Sequence, residues 1–282
     1  MNIIELFENA TIYKENATGF TFDDTVKVQK QIEIERSQNP NIDSNLASSL
    51  TLAMNEYPNE LLFISNNRVL YNFFAKKNHS RNRFSSDVVP SVSVDAVKSF
   101  ISKFLADDLD AFFEEKMLKN RFDDIEDFLS AKDYLPQSSL DKLNQKLSDK
   151  FDGVLAALEK DLTSADVLSM NFIKHRSFYD LLSHFRSPEN DVKIQKLLNL
   201  MSSMLVSFGI KSEFLNPMMI AMGNYKAVDY NLENLLKTNK EQTIANTQKV
   251  SSSGSSSMTT GGIIVLVIIV IRLILLMVRC NQ

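Results

Sequence analysis

Between Ile263 and Val278 the chain runs through 16 residues of which all but Arg272 are apolar. With Gly261, Gly262, Arg279 and Cys280 as flanks, an α-helix of about 20 residues is about 30 Å long, which matches the hydrocarbon thickness of a bilayer. Ten of the 16 are Ile or Val, a composition that suits strands, but a lone strand leaves its backbone groups unpaired in lipid. A single transmembrane helix over 263–279 is therefore expected.

Arg272 tests that expectation by magnitude. Fifteen apolar residues contribute about −5 to −9 kcal/mol to insertion, against about +3 for one central arginine. Insertion wins. The side chain then either snorkels toward the Arg279 end or makes a polar contact with an acidic or carbonyl group of another membrane helix, and both readings stay open.

Four residues follow Val278, and the opening "MNIIELFENA" has no basic region before a long apolar stretch, so no signal peptide is expected. The layout is that of a tail-anchored, single-pass membrane protein with its bulk in the cytosol. Lys249 and Arg279 nearly balance across the span and add little to orientation. Cys280 is the only cysteine, which rules out a disulfide or a cysteine-built zinc site within one chain. "RCNQ" is not a prenylation box. Before the anchor, Val250–Gly262 is a Ser/Gly tether whose 13 residues reach roughly 20 Å.

Two of the 31 basic residues, Arg272 and Arg279, belong to the anchor, so the remainder carries 29 basic against 35 acidic side chains. A net negative body is not expected to attract nucleic acid. With 282 residues, 44% of them hydrophobic, the chain as a whole can bury a sizeable core. The expected fold is α+β, predominantly α-helical. It has a mixed N-terminal region over 1–89, a helical region over 90–249 that can form one domain with it, the linker 250–262 and the span 263–279.

The N-terminal expectation rests on alternation. "TIYKENATGFTF" flanks an Asn/Gly turn with apolar residues, and "TVKVQKQIEIER" alternates Val26, Val28, Ile32 and Ile34 with charge, which predicts strands. "LLFISNNRVLYNFF" fits either a hairpin around Asn66-Asn67 or a broken helix. From Pro90 the period becomes helical. Val97, Phe100, Ile101, Phe104, Leu105, Leu109, Phe112 and Phe113 predict one helix opening near Ser93.

A second helix, opening at Ser138 or Ser139, carries Leu140, Leu143, Leu147, Phe151, Val154, Leu158 and Leu162 on one stripe, as core or as a surface for a partner helix. "DVLSMNFIKHRSFYDLLSHF" is densely apolar. Ser187-Pro188-Glu189 starts a further helix that runs to a stop at Gly209. "NLENLLKTNKEQT" predicts a last short one.

The chemistry is narrowed mainly by exclusion. Seven glycines, none suitably spaced, exclude a GxGxxG loop and a P-loop, and HExxH and GxSxG are absent. His175 and His184 point about 180° apart on one helix and cannot share a metal there. Asp107, Asp108, Asp110, Glu114 and Glu115, followed by Asp123, Asp124, Glu126 and Asp127, could hold a divalent cation or flank a sugar, but their alternation with phenylalanines fits a solvated face behind a packed one. Arg68, Lys76, Lys77, Arg81 and Arg83, interleaved with Tyr71, Phe73, Phe74 and Phe84, form a basic segment. Such a mix can bind single-stranded nucleic acid, but on a tethered chain it better suits an anionic membrane surface, or it pairs with the acidic 107–127 region of its own or a neighbouring chain.

No cofactor is implied. The expected function is a scaffold or protein-interaction module held at the membrane, which meets the bilayer through 263–279 and other membrane or cytosolic proteins, or its own copies, through its body. The alternative is a membrane-tethered enzyme whose acid/base or metal site gathers Asp, Glu and His residues in space.

Overall fold

The computed structural model describes residues 1–10, 19–39, 42–76, 84–160, 170–208 and 212–252. Contacts divide the chain into two compact units, Met1–Leu143 and Asn144–Gln282. Among the described residues 80% are helical and none is in a strand. The α+β expectation is therefore corrected to all-α there, and no change of class occurs at 89/90.

Unit 1 opens with α1 (Ile3–Asn9), started by a capping box. The Asn2 side chain accepts from the N–H of Ile4 and Glu5, and the Asn2 N–H donates to Glu5 at 2.8 Å. The Asn2 amide also donates to the Phe74 carbonyl at 2.9 Å, tying α1 to the end of α5 (Arg68–Phe74).

The segment read as an alternating strand is α2 (Phe22–Gln38). Its buried positions are Asp24, Val28 and Ile32, four apart, while Ile34 is 50% exposed. Four-residue spacing is a subset of two-residue spacing, so the alternation contained the helical face within it. The Thr21–Asp24 capping box decides the outcome locally. Residues 11–18 of the other expected hairpin lie outside the described residues.

After α3 (Ser44–Glu56) and α4 (Pro58–Asn66), the chain turns at Asn67, whose side chain accepts from the N–H groups of Val69 and Leu70. The second of the two readings of "LLFISNNRVLYNFF", a broken helix, is the observed one.

The helix expected from Ser93 to Phe113 is two helices, α6 (Val94–Phe104) and α7 (Ala106–Leu118), broken at Leu105. Steps of four residues drift about 40° each, so a straight helix would carry Phe113 to the far side from Val97. The break resets the phase, and Val97, Ile101, Leu105, Leu109 and Phe113 are all buried.

Next come α8 (Phe122–Phe128), a 3-10 segment (Leu129–Tyr134) and α9 (Gln137–Leu158), within which the division between units falls. The α9 stripe from Leu140 to Leu158 is buried, as the core reading requires, and Leu162 lies outside the described residues.

Unit 2 continues with a 3-10 turn (Asn171–Lys174), α10 (Arg176–His184) and α11 (Pro188–Phe208), which Ser187 caps by accepting from the Asn190 N–H at 3.1 Å. Gly209 lies outside the described residues. α12 (Ser212–Met222) packs against α13 (Tyr230–Ser252), and Gly223 makes the approach possible, because a Cβ there would sit 2.5 Å from Lys240 Cβ. The last helix is longer than expected and takes in Val250–Ser252, the start of the segment read as tether.

Candidate functional site

The surface of unit 2 that stands out is built on a buried carboxylate. Asp191, in the first turn of α11, is 5% exposed. It accepts from the Tyr225 hydroxyl at 2.7 Å, the Val228 N–H at 3.0 Å and the Asp229 N–H at 2.8 Å. Hydrogen bonds to a charged group contribute about 1.5–3 kcal/mol each, so this one side chain fixes the connection between α12 and α13. Burial, and then the bond to Asp191, push the Tyr225 hydroxyl well above the ordinary tyrosine range.

The same connection is held at two further points. The Lys226 N–H donates to Ser183 Oγ at 2.9 Å, and Lys240 Nζ donates to Asn224 Oδ1 at 2.6 Å. Asp229 then caps α13 through the Asn231 N–H at 2.8 Å.

This frame presents apolar side chains to solvent. Val192, next to Asp191, is 63% exposed, Val228 is 53% exposed, and Tyr230, the first residue of α13, is 75% exposed. Three of the seven exposed large hydrophobics among the described residues are thus collected around one buried anchor.

The residues singled out from sequence are placed otherwise. Arg68 is exposed at the start of α5. Lys76, just past the end of that helix, lies 3.2 Å from Glu5 and 4.0 Å from Asp108. Burial pulls its ammonium down, but the hydrogen bond and charge of Glu5, with Asp108, outweigh it and leave the pKa raised. Phe73 and Phe74 are buried, with Phe73 stacked 3.9 Å from Phe128, so these rings serve the core. Lys77, Arg81, Arg83 and Arg272 lie outside the described residues.

The acidic region is laced to lysines and arginines of its own unit. Lys142 bonds Asp110, Lys116 lies 3.0 Å from Asp124, and Arg121 lies 2.8 Å from the same carboxylate. His175 and His184 stand at opposite ends of α10, about 13 Å apart along its axis. No group of three or more His, Cys, Asp or Glu among the described residues is arranged to hold a metal ion. No helix among them is long and apolar enough to cross a membrane, and 263–279 lies outside them.

The Asp191 anchor was not found by sequence reasoning. "NYKAVDY" offered one signal, Val228 and Tyr230 set among charges in a short connection, but their fixed display depends on a carboxylate more than 30 residues earlier. No protein family, curated protein or solved structure matches the chain.

Proposed function

We propose that the chain is a membrane-anchored interaction module. In this reading 263–279 spans the bilayer and holds the helical body on the cytosolic side, where the surface formed by Val192, Val228 and Tyr230 takes up other protein chains. The observation that carries the interaction half is the Asp191 anchor. Exposed apolar side chains cost nothing to explain when scattered, but a group of them held by buried hydrogen bonds is the form a docking surface takes. Fixing the backbone beforehand removes part of the ordering cost of association, and tyrosine is enriched among residues that dominate binding energy. The membrane half is supported by the insertion arithmetic for the apolar run.

Photo-crosslinking from position 230 in intact membranes tests the interaction half. A protein adduct is expected, and it should be lost when Val192→Asp places a charge in the contact. An adduct of twice the chain's mass identifies a second copy as the partner, and another mass identifies a different protein. If only lipid is captured, or the adduct persists undiminished in Val192→Asp, the surface is not a protein-docking site.

A further inference from the structure

We propose that the chain taken up by the surface of Val192, Val228 and Tyr230 docks through a cationic segment, with arginine or lysine set among apolar side chains, a step that rests on the docking role assigned above.

The apolar members are interleaved with carboxylates. Glu189 is exposed one turn before Val192 on α11, and Asp229, also exposed, lies between Val228 and Tyr230 in the chain. Neither has an ion-pair partner among the described residues. Glu233 follows Tyr230 by three residues on α13, which puts it on the same side of that helix. Beneath them Asp191 is buried, and its carboxylate is held by a hydroxyl and two N–H groups, all of them neutral. Its charge is oriented but not cancelled.

Cations around this surface are fewer. Lys193 is spent on α9, where its Nζ lies 2.6 Å from Asp152. Lys226 lies 3.9 Å from Glu233, and Arg186, whose charge acts on Tyr225, stands just before the Ser187 cap of α11. Glu189, Asp191, Asp229 and Glu233 therefore outnumber Arg186 and Lys226. The N-terminal dipoles of α11 and α13 each offset about half a charge, which leaves an excess of about one negative charge beside the apolar side chains.

The aromatic member favours the same chemistry. The exposed Tyr230 ring offers a π face that attracts a guanidinium or ammonium group, and no cation among the described residues lies over it. Docking excludes water from between the partners, and both attractions then grow. A purely apolar or an acidic partner gains neither.

Photo-crosslinking from position 231 in intact membranes leaves Tyr230 in place and reads the charge of the partner. The crosslinked peptide should carry arginine or lysine beside the attached residue. Raising the salt from about 0.05 M to about 0.5 M should cut the adduct yield several-fold. Glu189→Lys should cut it about tenfold and Glu189→Gln less, whereas Arg186→Glu should raise it, a gain that no folding defect produces. Tyr230→Phe should keep the yield, and Tyr230→Leu, which removes the π face, should lower it. A protein adduct whose yield ignores salt, Glu189→Lys and Arg186→Glu overturns the cationic partner while the docking surface stands. If no protein adduct forms, the docking role fails and the cationic partner with it.

Discussion

Two buried tyrosine hydroxyls in unit 2 show how one polar atom changes meaning with its partner. The Tyr225 hydroxyl donates to Asp191 and helps fix the exposed surface, whereas the Tyr179 hydroxyl is buried with no hydrogen-bond partner among the described residues. Tyr179→Phe should therefore stabilise the protein by about 1 kcal/mol, and Tyr225→Phe should destabilise it by about 2 kcal/mol, read from denaturant midpoints. Their pH dependence has one sign. Burial raises both hydroxyls above the ordinary value near 10, so the fold favours their neutral forms. That stability is fully present below about pH 10 and is lost as the pH climbs toward the folded-state values. Each Phe variant should accordingly lose less stability than the parent between neutral pH and strongly alkaline pH. An unchanged alkaline slope in both would contradict the burial of these groups.

At the level of elements, periodicity reads as helical where apolar residues recur at both three and four positions along one face. The stripes of α6 and α9 are visible as spacings of three and four because burial selects side chains directly. α2 was misread because Val26, Val28, Ile32 and Ile34 satisfy a two-residue period while only Val28 and Ile32 are buried, and its capping box lay at Thr21, outside the alternation. The break at Leu105 and the close approach at Gly223 were illegible for a different reason, since both depend on which neighbour lies alongside. Gly223 gives the sharpest test of that packing. An alanine methyl would meet Lys240 Cβ at 2.5 Å and the Leu236 carbonyl oxygen at 3.0 Å, atoms that a rotamer change cannot remove. Gly223→Ala should push α12 from α13 and cost about 2 kcal/mol, in the range of overpacked cores. Glycine elsewhere need not behave this way, for Gly153 in α9 has open space around its Cα.

For the whole molecule, the two halves of the proposed function rest on different parts of the chain and fail separately. In that proposal the docking surface depends on Asp191 and its partners in unit 2, while the crossing of the bilayer is assigned to 263–279, and no described helix is apolar and long enough to cross one. Deleting 263–279 should move the protein from the membrane pellet to the supernatant after high-speed spinning. The helical content and melting midpoint of the body should stay unchanged. Full-length protein that stays in the supernatant without detergent, or a deleted form that still pellets without aggregating, would remove the anchor from the account. Arg272→Leu refines the test. Fifteen apolar residues already outweigh one arginine by a few kcal/mol, so the substitution should leave insertion intact and add about 3 kcal/mol to it. If complexes on native gels persist in this variant, Arg272 only snorkels; if they are lost while the protein stays in the membrane, its guanidinium contacts a polar group in a neighbouring helix. In either outcome the body keeps its own surface, so crosslinking from position 230 in the Arg272→Leu background distinguishes an assembly made in the bilayer from one made above it.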